Sequence, residues 1–186
     1  MTGSRPITNV SEMRLYHVLT NRPPWGPSDH LKRIDATLRE SGSVPLPDLD
    51  VGVFALEEDG DHYTREDYQR FAAHLAHVVR FMEYPLIVSD STVDWHNHNS
   101  EWERTGWASD VLCRALSNRC VVDVVCGSGF VARAAQHEHF FNRVSQQLRL
   151  NKNITDVLLI GGWNDEGRTD EACRLIPRLV SLVERY

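Results

Sequence analysis

A histidine just ahead of a predicted helix is the first group in this chain whose setting indicates chemistry. Asp59 opens the segment Asp-Gly-Asp-His-Tyr-Thr, which ends at Thr64. Thr64 can cap the helix that follows, because Asp67 lies at the capping-box spacing. His62 is then held at a loop–helix junction, three residues after the Asp59 carboxylate. An imidazole that a carboxylate can orient is half of a nucleophilic triad.

The elements that must position this histidine alternate between strands and helices. Strands are predicted at about 14–20, 44–49, 86–88, 120–126 and 156–160, and helices at about 28–40, 64–81, 106–116, from the turn at 127–130 to 148, and 169–186. The middle strands are continuous apolar runs, which is typical of a parallel sheet covered on both faces. We therefore predict a three-layer α/β/α sandwich with a parallel sheet of about five strands. Ser91, Gly127 and Asn164 follow the carboxyl ends of strands, where such sheets gather functional residues.

Composition places the chain among ordinary globular proteins. Its 186 residues are 41% hydrophobic and 25% charged, which suits one domain, predicted here over residues 13–186 after a polar leader at 1–12. The net charge of −6 argues against a nucleic-acid partner. No apolar run is long enough to predict a membrane span.

Four cysteines occur without a C-x-x-C pair, at positions 113, 120, 126 and 173. Their apolar surroundings predict buried free thiols, which favour a reducing compartment. The first residues lack the apolar core of a signal peptide, and this too favours a cytoplasmic location.

Three strand-end segments resemble the sequence blocks of the SGNH (GDSL-type) hydrolase superfamily. The segment at 88–93, Val-Ser-Asp-Ser-Thr-Val, resembles the first block, with Ser89 where the family has glycine. Cys-Gly-Ser-Gly at 126–129 resembles the second block, and Gly-Trp-Asn-Asp at 162–165 matches the third. The third match is the most specific of the three.

The resemblance assigns roles to these segments. It implies that Ser91 is the nucleophile and that its own N–H contributes to the oxyanion hole. It implies that Gly127 gives a second N–H, with Gly129 as the alternative, and that Asn164 gives a side-chain amide. Losing one such donor typically costs on the order of 10²–10³ in rate.

The last block of the family, Asp-x-x-His before a helix, stands ahead of the other blocks in this chain. The resemblance places it at Asp59 and His62, with Asp61 as a less favourable orienting group. It therefore implies a circular permutation, in which a new link at about 82–85 joins the old last helix to the nucleophile strand. A domain-swapped oligomer, or an excerpt from a longer chain with tandem copies, would give the same order.

The expected function is hydrolysis of a carboxylic ester, by an esterase, a lipase-like enzyme or a carbohydrate deacetylase, without a cofactor. The substrate would be an acyl lipid or an acetylated sugar. Further residues predicted to line the cleft are Asp90, Gly129, Trp163, Trp25 and Trp95. The alternative is a catalytically inactive relative, a structural or binding protein that kept the sandwich, which Ser89 and the unusual block order favour.

Three other kinds of functional site fit this sequence less well. The glycines at 127–132 match a dinucleotide fingerprint, but the acidic residue expected roughly twenty residues on is missing at that distance. No G-x-S-x-G elbow surrounds Ser128, which argues against an α/β-hydrolase. The pairs His96/His98 and His137/His139 lack ligands that would complete a metal site, so surface histidines and no metal are predicted.

Overall fold

The computed structural model describes residues 13–19, 28–46, 64–91, 93, 107–133 and 138–186. The strands are β1 (Arg14–Val18), β2 (Val44–Pro45), β3 (Pro85–Ser89), β4 (Val121–Val124) and β5 (Asp156–Ile160). The helices are α1 (Asp29–Glu40), α2 (Arg65–Val78), α3 (Trp107–Ala115), α4 (Phe140–Leu150) and α5 (Thr169–Val183), and a 3₁₀ turn covers Trp163–Asp165.

All five strands form one parallel sheet in the order β2-β1-β5-β3-β4. Strand β5 lies at its centre, with β1 and β3 in register on its two sides. The predicted α/β class and five-stranded parallel sheet are confirmed. The strands end level with one another, so the segments that follow β3, β4 and β5 emerge at the same edge.

Two apolar layers cover the faces of the sheet and make the sandwich three layers thick. One layer joins the sheet to α1, α4 and α5, and its buried members include Ile34, Leu86, Val144, Val157 and Ile176. The other joins the sheet to α2 and α3, and its buried members include Phe71, Leu75, Ile87, Leu112 and Leu158. Alternate residues of a strand face opposite layers, as the period of a strand requires.

The sequence predicts Ser28 as the cap of α1, besides Thr64 as the cap of α2, and both caps are confirmed. The Ser28 hydroxyl accepts a bond from the N–H of Leu31 at the start of α1. The Thr64 hydroxyl accepts from the N–H of Asp67 at 3.3 Å at the start of α2 and donates to its carboxylate at 3.1 Å. These bonds satisfy N–H groups that a helix leaves unpaired in its first turn.

The predicted helix directly after the turn at 127–130 is wrong. Residues 128–133 are irregular, and α4 begins only at Phe140. Three successive backbone N–H groups after the turn bind the Asp165 carboxylate instead of starting a helix. A long-range hydrogen-bond acceptor has overridden the local helical pattern.

Smaller corrections concern burial. The apolar spacing along α1 and α3 predicts that Ala36 and Ala115 face the core, but both are exposed. Strand β4 is only partly buried because it is an edge strand. The described part of the second strand is short, at Val44–Pro45, and residues 47–49 of its predicted span lie outside the described residues. The polar leader at 1–12 also lies outside them.

As predicted, none of the four cysteines forms a disulfide in the described part of the chain, but all are partly exposed rather than buried. Among the helices that the structure describes, none combines the length and apolarity needed to cross a bilayer.

Candidate active site

Six of the predicted site residues fall within the described parts of the chain: Asp90, Ser91, Gly127, Gly129, Trp163 and Asn164. The others, Asp59, His62, Trp25 and Trp95, lie outside the described residues, as do Asp61, His96, His98 and His137.

The Asn164 side chain joins the three strand ends. Its amide Nδ2 donates to the backbone carbonyl of Ser128 at 2.9 Å and to the Asp90 carboxylate at 3.2 Å. These partners follow β4 and β3, whereas Asn164 follows β5. The amide has two N–H donors, and both are used. The three segments singled out from the sequence therefore meet at one side chain.

Ser91 lies in the turn after β3 and is tied to the first turn of α2. The Tyr68 hydroxyl donates to the backbone carbonyl of Ser91 at 2.7 Å. Tyr68 is fully buried and Ser91 is 5% exposed. A tyrosine buried in an apolar layer needs a partner for its hydroxyl, and this bond fixes the position of α2 relative to the Ser91 turn.

The two candidate oxyanion glycines have different backbone environments. The Gly129 N–H donates to the Ala132 carbonyl at 3.1 Å, so it is already engaged. Gly127 is exposed and has φ +73°, and its N–H makes no hydrogen bond to another residue that the structure describes. A free, preorganised N–H is what an oxyanion donor requires, and this favours Gly127 over Gly129.

Asp165 is a residue whose role the sequence did not reveal. Its carboxylate is fully buried and accepts bonds from the N–H groups of Phe130 (2.7 Å), Val131 (3.0 Å) and Ala132 (2.9 Å). A Cβ at Gly129 would lie 2.5 Å from the same carboxylate. Asp165 therefore fixes the loop that follows Gly127, and a glycine is required at 129 for the close approach.

Arg143 supports the same strand ends from α4, and the sequence did not reveal this role either. Its side chain is buried, with a 2.8 Å ion pair to Asp123 of β4. It also donates to the Ser89 carbonyl at 3.2 Å and to the Ser128 hydroxyl at 2.7 Å. A buried charge needs such pairing, and the planar guanidinium can bind several acceptors at once. The arginine therefore holds β3, β4 and the glycine loop together.

Asp90 occupies space that only a glycine leaves open. A Cβ added at Gly161 would lie 2.5 Å from the Asp90 carboxylate oxygen, and Gly161 has φ +139°. Asp90 is fully buried beneath it. The close approach lets the carboxylate reach Asn164.

We expect Gly161→Ala to destabilise the fold by about 3 kcal/mol, because it adds both a clash with Asp90 and backbone strain. Gly167→Ala is the matched control, since Gly167 has φ +79° but nothing within 4 Å of an added Cβ. That control should cost only about 1 kcal/mol. Urea unfolding of both variants measures the difference, and equal losses would contradict the packing argument.

Ser89 carries a buried hydroxyl oxygen without a hydrogen-bond partner in the described part of the chain. Burying an unpaired hydroxyl costs about 1–3 kcal/mol. We therefore expect Ser89→Ala to raise the free energy of unfolding by about 1 kcal/mol, as measured by urea unfolding. A lower stability in the alanine variant would show that the hydroxyl has a partner.

A second serine–histidine–aspartate arrangement occurs at His17 of β1. Its ring nitrogens lie 2.8 Å from the Ser43 hydroxyl and 3.0 Å from the Asp35 carboxylate. Burial lowers the pKa of His17, in opposition to the hydrogen bond and charge of Asp35. Ser43 directly precedes β2, away from the carboxyl edge of the sheet, and its hydroxyl also lies 3.2 Å from the Leu15 carbonyl. This arrangement links α1, β1 and β2 as a structural network.

Trp163 lies beside the start of α1. Its ring and that of His30 are 5.8 Å apart between centroids. His30 Nε2 donates to the Gly162 carbonyl at 3.1 Å, which leaves Nδ1 to accept from the Ser28 hydroxyl at 2.8 Å. The position of the partly exposed Trp163 is thus set by α1, a contact that the sequence pattern does not indicate.

The backbone at 127–132 does not support a dinucleotide-binding site there. That fingerprint needs a helix that opens at the glycine run, whereas α4 begins at Phe140. Across the ranges that the structure describes, no three His, Cys, Asp or Glu side chains are grouped so that they could hold a metal ion.

Comparison with known proteins adds no relative. No family model matches this chain, and no curated protein is significantly similar to it in sequence.

Proposed function

We propose that this protein is a serine hydrolase of carboxylic esters, of the SGNH type and circularly permuted, with Ser91 as nucleophile, His62 as base and Asp59 as the orienting carboxylate. The observation that carries the proposal is the meeting of three strand ends at Asn164, which bonds to Asp90 and to Ser128. These are the segments that an oxyanion hole beside Ser91 would need to bring together.

The strand order supports the permutation. The strands can be renumbered from β3, so that β3, β4, β5, β1 and β2 become strands 1 to 5. The sheet order β2-β1-β5-β3-β4 then becomes 5-4-3-1-2. Read from the other edge, this is 2-1-3-4-5, the flavodoxin-like order of doubly wound sheets. Helix α5 runs back from the carboxyl edge of the sheet, and Glu184 near its end approaches Gly42, which precedes β2. The end of α5 thus returns to the edge at which β1 and β2 begin.

Helix α2 supports the assignment of His62. Its cap, Thr64, is two residues after His62 in the sequence. Two residues of fully extended chain span at most about 7 Å. One turn further on, Tyr68 donates its hydroxyl hydrogen to the Ser91 carbonyl. The helix that begins two residues after His62 in the sequence thus contacts the Ser91 turn, which is what the proposed serine–histidine pair requires.

The proposed reaction uses ordinary acyl transfer. His62 removes the hydroxyl proton of Ser91 as its oxygen attacks the ester carbonyl, and Asp59 stabilises the imidazolium. The N–H groups of Ser91 and Gly127 and the Asn164 amide bind the oxyanion. His62 then protonates the leaving alcohol, and water attacks the acyl-serine by the same route.

The Asn164 amide must give up one of its present hydrogen bonds in order to bind the oxyanion. Both of its N–H groups are engaged in the described structure, and the bond to Asp90, at 3.2 Å, is the longer one. We propose that the substrate oxyanion replaces Asp90 as its acceptor. The fully engaged amide is also the observation that favours the second candidate, an inactive binding or structural protein, because without this exchange the oxyanion hole lacks its side-chain donor.

Hydrolysis of p-nitrophenyl esters separates the two candidates. Ser91 is 5% exposed, so we expect a small acyl group to reach it more readily than a long one. The hydrolase should act on p-nitrophenyl acetate well above the buffer rate and more slowly on the octanoate. Absence of hydrolysis of both esters by folded protein would favour the inactive candidate.

A further inference from the structure

Two cysteine sulfurs lie next to each other at the end of the sheet opposite the candidate active site. Cys113 is in the last turn of α3, and Cys120 directly precedes β4. Their Sγ atoms are 3.1 Å apart, and both residues are free and partly exposed. Thiols that are in contact and partly exposed are within reach both of each other and of a soluble oxidant.

The turn between the two residues fixes this contact. The N–H of Asn118 donates to the Cys113 carbonyl at 2.7 Å, and the N–H of Arg119 donates to the Leu116 carbonyl at 3.0 Å. Ser117 and Asn118 both have left-handed backbone conformations, with φ of 55° and 57°. Left-handed conformations are uncommon for residues with a side chain, so two in succession mark a well-defined turn. The chain reversal that brings β4 back beside α3 therefore also sets the two sulfurs together.

We propose that Cys113 and Cys120 form a reversible disulfide, with a low-molecular-weight disulfide such as oxidised glutathione as the oxidant. A disulfide bond is about 2.05 Å long, so the sulfurs need to approach by only about 1 Å. This site is independent of the proposed ester hydrolysis.

The exchange proceeds in two balanced steps. The Cys113 thiolate attacks one sulfur of oxidised glutathione, which forms a mixed disulfide and releases one glutathione thiolate. The Cys120 thiolate then attacks the Cys113 sulfur, and the second glutathione thiolate leaves. The protein loses two protons and two electrons, and the oxidant becomes two glutathione molecules.

The electrostatics of the pair favour Cys113 as the attacking group. The hydrogen bond from Cys120 lowers the pKa of Cys113 to about 7, although its partial burial acts in the opposite direction. The same contact raises the pKa of Cys120. A thiol whose pKa is near the ambient pH is the effective nucleophile in exchange.

The test incubates the folded protein with oxidised glutathione and maps its cysteines by mass spectrometry. We expect a peptide cross-linked through Cys113 and Cys120, no stable glutathione adduct on either residue, and full reversal by dithiothreitol. Cys120→Ser removes the resolving thiol, so a glutathione adduct should accumulate on Cys113. Cys126→Ser and Cys173→Ser are matched controls that should leave the cross-link unchanged.

Two outcomes would overturn the proposal. One is a wild-type protein that accumulates glutathione on Cys113 without forming the cross-link. The other is a cross-link that uses Cys126 or Cys173 instead of the proposed pair. Far-UV circular dichroism before oxidation verifies that each variant is folded.

Discussion

Ser91→Ala is expected to reduce kcat/KM for p-nitrophenyl acetate by on the order of 10⁴-fold or more, because it removes the proposed nucleophilic oxygen. The fold should survive this change. The contact of Ser91 with Tyr68 uses the backbone carbonyl, which alanine retains. The loss of activity should therefore be seen in a protein whose circular dichroism still matches that of the folded wild type.

Ser181→Ala provides the matched control, since Ser181 is an exposed serine near the end of α5, which runs away from the carboxyl edge of the sheet. It should hydrolyse the ester at the wild-type rate. Wild-type hydrolysis by Ser91→Ala would refute the assignment of the nucleophile.

Asp165→Asn is expected to lower the free energy of unfolding by about 3 kcal/mol. The carboxylate accepts three buried backbone N–H groups, whereas an amide keeps one acceptor oxygen and turns an NH₂ group towards the same donors. Each donor left unpaired costs about 1–3 kcal/mol. Urea unfolding monitored by tryptophan fluorescence measures the loss.

Glu166→Gln is the control for that substitution, because Glu166 is the next residue and is exposed. Its effect should stay within about 0.5 kcal/mol, as for most surface changes. Equal stability of Asp165→Asn and the wild type would contradict the role given to the buried carboxylate.

The elements that the sequence predicted well are those with strong local signals. Strand β5 matches its predicted span at Asp156–Ile160, since a continuous apolar run is enough to identify a central strand. Helices α1 and α2 begin where their capping residues, Ser28 and Thr64, place them. Both signals depend only on neighbouring residues, and neither needs knowledge of the fold.

The loop between β4 and α4 shows why other parts could not be predicted. Local spacing suggested a helix from the glycine turn, but Asp165, which is 35 positions after Phe130, takes the N–H groups that would have begun it. Arg143 likewise reads as one more polar position of α4, although it is buried against Asp123, Ser89 and Ser128. Such partners are set by the sheet order, which no local pattern specifies.

The candidate site shows the same division between features that could be predicted from the sequence and contacts that could not. The strand-end positions of Asp90, Ser128 and Asn164 could be predicted because a parallel sheet ends at one edge. The engagement of both Asn164 donors could not, since it depends on how closely Asp90 approaches Gly161. The proposed base and its orienting carboxylate, His62 and Asp59, stay predictions.

The most direct test of the central claim is covalent labelling with a fluorophosphonate, followed by peptide mapping. The proposed triad predicts one adduct, on the Ser91 hydroxyl, and its loss in His62→Gln because the base is gone. His74→Gln, which changes an exposed histidine of α2, should label like the wild type. An adduct on Ser43, or a folded wild-type protein that takes no label, would contradict the account.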